Sequence, residues 1–226
     1  MLMRILAGGL IGGIAGGLVV GAIESVTTTP LILHAEQFEV KDVASAARIL
    51  LVHSDAQGAA GEGGGLTRTL FTFLATVLVA VGYVWMLLAA MFFKGAEINA
   101  RTVVPWAVAG FFAAGLAPAM GLAPELPGAS AAALEARQVW WICTAVATAA
   151  GLAAIFFGRN VAWVIGGVVL IALPHVIGAP QPAAMESLVP AELAGEFAAR
   201  SLVIQALVWI VPAVIAGYAI SRMKPA

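Results

Sequence analysis

Apolar residues along this chain collect into six long runs separated by polar segments. The runs cover residues 5–23, 68–93, 102–120, 138–157, 161–177 and 200–220. A helix of about 20 apolar residues, rising about 1.5 Å per residue, crosses the hydrocarbon core of a bilayer. The pattern therefore predicts an all-α protein, a polytopic bundle of six transmembrane helices forming a single membrane domain. The fourth and fifth runs are separated only by residues 158–160, so they form an antiparallel hairpin, or one broken span and a total of five.

Glycine recurs at every fourth position of the first run, AGGLIGGIAGGLVVG. Such a sequence is a poor helix in water, but in lipid the backbone has no other hydrogen-bond partner and stays helical. Small residues on one helix face allow a neighbouring helix to approach closely. We therefore expect Gly9, Gly13 and Gly17 to pack against another helix rather than to bind a ligand.

Residues 24–67 form the one sizeable polar segment. TTTP at 27–30 is a helix-start signal, because threonine caps a helix and proline suits its first turn. An amphipathic stretch follows to about Leu51, and the glycine-rich residues 55–65 are typical of a flexible linker. We expect this segment to lie outside the cytoplasm, with its helix on the membrane surface.

Composition narrows the class of protein. The chain is 62% hydrophobic and only 10% charged, with a mean hydropathy of +1.02, which is too apolar for a soluble domain. Its surroundings are therefore membrane lipid, and a net charge of −1 gives no reason to expect a nucleic-acid partner. The sequence contains no Gly-Lys pair, hence no Walker A loop, so any energy must come from a gradient or another protein. It also lacks G-x-S-x-G and H-E-x-x-H motifs, and we expect no enzymatic activity.

Charge distribution favours placing both termini in the cytoplasm. With six spans in that orientation, the inner segments hold six basic residues and the outer segments hold five. This is a small bias in the direction of the positive-inside rule. Eleven of the twelve acidic residues then lie outside, with Glu97 as the exception, so the outer face attracts cations.

Four residues near the outer helix ends are candidate ligands for a divalent transition-metal ion: His175, Glu125, Glu36 and His34. Neutral imidazole and carboxylate groups bind Co²⁺, Ni²⁺, Zn²⁺ or Fe²⁺. Each has a simpler alternative, since His175 is equally well interpreted as an interfacial histidine, His34 as a solvated one, and Glu125 as a loop carboxylate paired with Arg137. No H-x-x-x-H or C-x-x-C spacing strengthens the metal interpretation.

Other residues are candidates for support around these ligands. Arg137, Trp141 and Thr144 share one face of the fourth run by helical spacing. Threonines in such positions more often bond helix to helix than line a pore. Gln205 is the lone amide of the last run, and its side chain is expected to face the interior.

Three blocks resemble the CbtA family of cobalt transporter subunits: GLAPAMGLAPELPG at 115–128, ARQVWW at 136–141 and LPHVIGAPQP at 173–182. The resemblance implies a multi-pass protein of the bacterial inner membrane, with Co²⁺ as the transported ion and no permanently bound cofactor. It also implies a partner, a small single-span, histidine-rich CbtB-type protein. The segments TPLILHAEQFE at 29–39 and LTRTLFTFLATVL at 66–78 fit the same family. The residues at family-like motif positions are Glu36, Glu125, Arg137, Trp141, His175 and Gln181.

These observations predict a membrane subunit for uptake of a divalent transition metal, most simply cobalt. The alternative is a membrane scaffold that transports nothing and orients a partner. Metal selectivity, energy coupling and oligomeric state are left open by the sequence.

Overall fold

The structure of the protein, a computed structural model, describes residues 1–47, 62–183 and 186–223. Helices account for most of these residues, and no strand occurs among them, so the predicted all-α class is confirmed. The helices are α1 (Leu2–Thr27), α2 (Thr29–Ala47), α3 (Glu62–Lys94), α4 (Val103–Ala119), α5 (Leu134–Phe157), α6 (Val161–Ile177) and α7 (Ala191–Arg222).

Each of the six apolar runs becomes one helix. By length and composition, α1, α3, α5 and α7 are able to cross a membrane, while α4 and α6 are shorter apolar helices. The chain is therefore a polytopic membrane helix bundle, as predicted. The fourth and fifth runs form two separate helices rather than one broken span.

Two helix boundaries at the edges of the polar segment 24–67 differ from the sequence prediction. Helix α1 continues past residue 23 to Thr27, so Glu24 belongs to its last turn. Helix α3 begins at Glu62, inside the stretch 55–65 predicted as a linker, rather than at 68. Residues 62–67 contain glycines but no proline, and glycine weakens a helix without preventing it. The helix predicted after TTTP is confirmed as α2, while its predicted end at Leu51 and linker residues 55–61 lie outside the described residues.

Helix α1 lies between α3 and α7 and contacts both along its length. A methyl group built on Gly13 would lie 2.5 Å from the Cα atom of Val81 in α3, and one on Gly16 would lie 2.6 Å from the Cα atom of Pro212 in α7. Only glycine allows backbones to come this close. The helix thus carries two ridges, Gly9, Gly13 and Gly17 towards α3, and Gly8, Gly12 and Gly16 towards α7.

Large side chains fill the space that α3, α4 and α7 enclose. Leu88 and Met91 of α3 are fully buried there. The rings of Tyr83 and Trp209 stack with their centroids 4.3 Å apart. The Trp209 ring also covers Gly110 of α4, where a side chain would overlap it. These contacts attach α4 to the α1–α3–α7 group.

Helix α4 contains one π-helical turn, Phe112–Leu116, which the sequence analysis did not predict. Its physical cause lies at Pro118, which has no N–H to donate and whose ring would crowd the carbonyl of Ala114 in a regular α-helix. A wider turn just before the proline relieves that conflict.

Helices α5 and α6 form the predicted antiparallel hairpin. A methyl group on Gly151 would lie 2.6 Å from the carbonyl oxygen of Gly167, and one on Gly167 would lie 2.5 Å from that of Gly151. At the closed end of the hairpin, the Lys94 Nζ atom lies 4.0 Å from the centre of the Phe157 ring. Phe157 and Trp106 of α4 also contact each other.

Chain direction divides the bundle into two ends. The Lys94 end holds the start of α1, the ends of α3 and α7 and the turn of the hairpin, and there Arg4 Nη2 donates to the carbonyl of Ile220 at 2.8 Å. The His175 end holds α2, the starts of α3, α5 and α7 and the ends of α1, α4 and α6.

The glycine ridges make a direct prediction about stability. We expect Gly13→Ala to lower the free energy of unfolding by about 1–3 kcal/mol, because the methyl group overlaps the α3 backbone. Gly82→Ala is the matched control: it lies in α3, nothing occupies the space around it, and alanine stabilises a helix by about 0.5–1 kcal/mol. Thermal unfolding of the two purified variants in detergent measures the difference. Equal unfolding temperatures would contradict the close packing of α1 on α3.

Candidate functional site

An apolar layer joins the segments at the His175 end. Leu126, from the loop between α4 and α5, is 4% exposed and packs with Leu31 and Ala35 of α2 and with Val189 and Leu193 at the start of α7. Leu188 N–H donates to the carbonyl of Gly128 at 3.3 Å, which joins the two long loops. The layer thereby holds α2 and the Glu125 loop together at the end of the bundle where α6 also terminates.

Glu125 is held in this layer between two prolines, Pro124 and Pro127, which exclude a regular helix. Its carboxylate pairs with Arg137 at the start of α5, with Oε2 2.7 Å from Nη2. Both side chains are a little over a quarter exposed, 27% and 29%. The carboxylate is therefore reachable from solvent but already neutralised by a guanidinium.

His175 lies in the last turn of α6 and is half-buried. Its ring meets the Trp140 ring edge to face, with centroids 5.8 Å apart and an interplanar angle of 74°. Trp140 Nε1 donates to the carbonyl of Pro174 at 3.3 Å, and the N–H of Gly178 donates to the same oxygen at 3.0 Å. Gly178 takes φ +92°, where a side chain would be strained, and so ends the helix. The partial negative charge of a helix C-terminus favours a cation beside His175.

Contacts connect Glu125 with His175 through α5. Glu125 pairs with Arg137, Trp140 follows Arg137 by three residues and so by about one helical turn, and the Trp140 ring touches His175. The sequence analysis selected Trp141 as the supporting tryptophan, but Trp141 is 39% exposed whereas Trp140 is 9% exposed. Adjacent residues point about 100° apart on a helix, and packing of α5 on α6 turns Trp140 inward.

The α2 candidates lie in a separate set of contacts. Arg68 of α3 donates to both carboxylate oxygens of Glu36, at 2.5 and 2.9 Å. The hydrogen bonds from the Arg68 guanidinium hold the pKa of Glu36 below its ordinary value. His34 is exposed, with its ring centroid 5.6 Å from that of Phe38. Buried Ala35 separates the two candidates, which point to different sides of α2.

No three candidate ligands converge in the described ranges. Among those residues, no group of three or more His, Cys, Asp or Glu side chains is close enough to hold a metal ion. Both carboxylates, Glu36 and Glu125, are bonded to arginines instead. The proposed ligand set thus remains a prediction. In this conformation Glu125 and His175 are linked through α5, while Glu36 and His34 lie on different sides of α2.

The other predicted support residues lie apart from these ligands. Thr144 is fully buried and donates to the carbonyl of Trp140 at 2.8 Å, within its own helix. Gln205 reaches the π-helical turn, where its Oε1 is buried without a hydrogen-bond partner in the described part of the chain. Gln181 is exposed and donates to the carbonyl of Ala179 at 3.2 Å.

The structure also emphasises a carboxylate that the sequence analysis did not select. Glu24 is half-buried in the last turn of α1 and accepts a hydrogen bond from the Thr76 hydroxyl of α3 at 2.6 Å. Because the apolar run ends at residue 23, Glu24 looked like the first residue of a loop. The threonine-rich start of α3, TRTLFTFLAT, was the available signal that a polar partner lay opposite.

Comparison with known proteins supplies the functional context. A family model described as a probable cobalt transporter subunit, CbtA, matches residues 2–221. No curated protein and no solved structure is significantly similar to this chain. The matched region includes every helix described above, apart from the last residue of α7, and all the candidate ligands. Since the match covers nearly the whole chain, this protein belongs to the CbtA family of probable cobalt transporter subunits.

Proposed function

We propose that this chain is the membrane subunit of a system that takes up a divalent transition-metal ion, with Co²⁺ as the substrate, across the bacterial inner membrane. The observation that carries the proposal is the linked placement of Glu125 and His175 at one end of a membrane bundle of this family. Both termini lie in the cytoplasm in this proposal, so the His175 end faces outward.

The proposed first step is exchange of an arginine for a metal ion at Glu125. The acidic outer segments concentrate cations near this end. The ion then replaces the Arg137 guanidinium on Glu125, and the His175 imidazole replaces another part of its water shell, which suits a metal of this class. The C-terminal end of α6 adds favourable electrostatic potential. Either Glu36 or His34 on α2 is the proposed second contact.

The word subunit in the family description supports a partner chain. We propose a small single-span, histidine-rich protein of the CbtB type in that role. Its imidazoles would complete a coordination shell for which the described residues offer no group of three ligands. Lipid surrounds the remaining helix faces, where many large apolar side chains are exposed.

Both candidate carboxylates are paired with arginines, which favours one alternative function. In this alternative the protein is a membrane scaffold that binds a partner and transports nothing. Purified chain in liposomes, with and without the partner, separates the two functions. Entry of Co²⁺ into vesicles in either condition supports transport. No entry in either condition, together with no Co²⁺ binding to the purified chain, supports the scaffold.

Replacing His175 tests the central ligand. We expect His175→Ala to reduce Co²⁺ uptake by cells at least tenfold, because losing one ligand of a metal site costs more than 1.4 kcal/mol in affinity. Val176→Ala is the control, since Val176 is the next residue in the same turn and is 81% exposed. Uptake is measured at equal amounts of membrane-inserted protein. Wild-type uptake by His175→Ala would remove this residue from the mechanism.

Exchanging the charges of Glu125 and Arg137 tests whether Glu125 is a metal ligand or serves only as the salt-bridge partner of Arg137. Either single change, Glu125→Arg or Arg137→Glu, should destabilise the protein, by an amount on the order of 1–3 kcal/mol for a partly buried pair. The double variant restores the pair with the carboxylate on α5. We expect it to recover the thermal stability but not the Co²⁺ uptake. Recovery of both would show that Glu125 serves only as a partner of Arg137.

A further inference from the structure

A polar cavity lies at the His175 end between the end of α1, the start of α2 and the first turns of α3. Its volume is about 270 Å³, and its polar lining is Glu24, Thr28, Thr29, Arg68, Thr72 and Thr76. None of these residues belongs to the ligand set of the proposed function. An ionisable side chain in a membrane-spanning helix is costly unless it has a partner or a function.

The charge of the cavity is set by Glu24. The positive charge of Arg68 is already compensated, because its guanidinium bonds both oxygens of Glu36 and keeps that carboxylate ionised by lowering its pKa. Glu24 accepts a hydrogen bond from the neutral Thr76 hydroxyl and makes no salt bridge with any other described residue. Among the described residues, Glu24 is therefore a carboxylate in the cavity without an arginine partner, unlike Glu36 and Glu125.

The hydroxyl groups around Glu24 are oriented as electron-pair donors. Thr76 donates its proton to Glu24 Oε2, Thr72 to the carbonyl of Arg68 at 3.0 Å, and Thr28 to the carbonyl of Glu24 at 3.4 Å. A hydroxyl has one proton, so each of these oxygens can offer a ligand only its lone pairs. The lining contains no histidine or cysteine. A carboxylate with several hydroxyl oxygens suits a hard cation rather than a thiolate- or imidazole-seeking metal.

Charge and size select the cation further. A monovalent ion neutralises the single carboxylate, whereas a divalent ion would leave a net positive charge beside Arg68 in a partly buried site. At about 30 Å³ per water molecule, the cavity has room for an ion with several of its waters. From these observations we propose that the cavity is a Na⁺ site in which Glu24 supplies the charge and Thr76, with Thr72 and Thr28, supplies oxygen ligands.

The role of the bound ion in uptake rests on the proposed function, whereas the Na⁺ site itself does not. The sequence has no nucleotide-binding loop, so uptake needs a gradient or another protein as its energy source. A Na⁺ site at the same end as the candidate metal ligands provides a coupling ion for that uptake. The binding of Na⁺ itself is independent of Co²⁺ and can be measured alone.

Binding of ²²Na⁺ to the purified full-length chain in lipid nanodiscs, with no transition metal present, tests the site. We expect saturable binding to the wild type, no saturable binding to Glu24→Gln, and about tenfold weaker binding to Thr76→Val, since a lost bond to a charged group costs roughly 1.5 kcal/mol or more. Glu192→Gln is the control, because Glu192 is an exposed carboxylate on α7 outside the cavity. It should bind as the wild type does.

Several outcomes would overturn the site. These are absence of saturable binding to the wild type, or undiminished binding to either Glu24→Gln or Thr76→Val. Thr76→Val keeps the size and shape of the side chain, so it still tests the site if Glu24→Gln proves unstable. A chain that binds Na⁺ but carries no Co²⁺ either alone or with the partner contradicts the proposed function and leaves the site intact. A chain that carries Co²⁺ but binds no Na⁺ contradicts this inference alone.

Discussion

The close approach of α1 to both α3 and α7 is the constraint on which the bundle depends. Lipid is as apolar as the helix surfaces, so burial of apolar area does not drive helices together within a membrane. Dispersion contacts between closely packed backbones do so instead, and they fall off steeply with distance. Glycines on two adjacent faces of α1 bring Val81 and Pro212 to the α1 backbone itself. One helix thereby fixes the separation and rotation of its two neighbours.

That packing determines the polar chemistry at the His175 end. With α1 and α3 in register, Glu24 comes opposite Thr76. With α1 beside α7, Arg200 reaches the carbonyl of Thr27 at 2.9 Å and also pairs with Glu196, one turn earlier on its own helix. Helix α2 follows α1 directly, and the Arg68 bond to Glu36 holds it over the start of α3. Each of these contacts between helices depends on a separation that the glycines set elsewhere along the helix.

The helices and their order could be predicted from the sequence, because long apolar runs and regular glycine spacing are local patterns. The hairpin of α5 and α6 followed from a link too short for anything else. Tertiary packing determines which side of a helix faces its neighbour. The sequence analysis therefore chose Trp141, whereas packing buries Trp140. The arginine partner of Glu36 and the threonine partner of Glu24 are 32 and 52 residues away, so a local pattern shows that polar residues are present but not which of them pair. Pro118 indicated that the helix would be irregular near this point. A proline does not indicate whether the irregularity is a kink, a break or a π-helical turn.

The π-helical turn of α4 has a mechanical consequence. The α5–α6 hairpin, which carries Arg137 and His175, makes its main helix contacts with the remainder of the bundle through α4, and many of these involve the π segment. A π turn has one residue more than an α turn, and shifting that extra residue along the helix rotates everything beyond it without breaking the helix. A shift of this turn along α4 would therefore change the orientation of the hairpin relative to the glycine-packed helices.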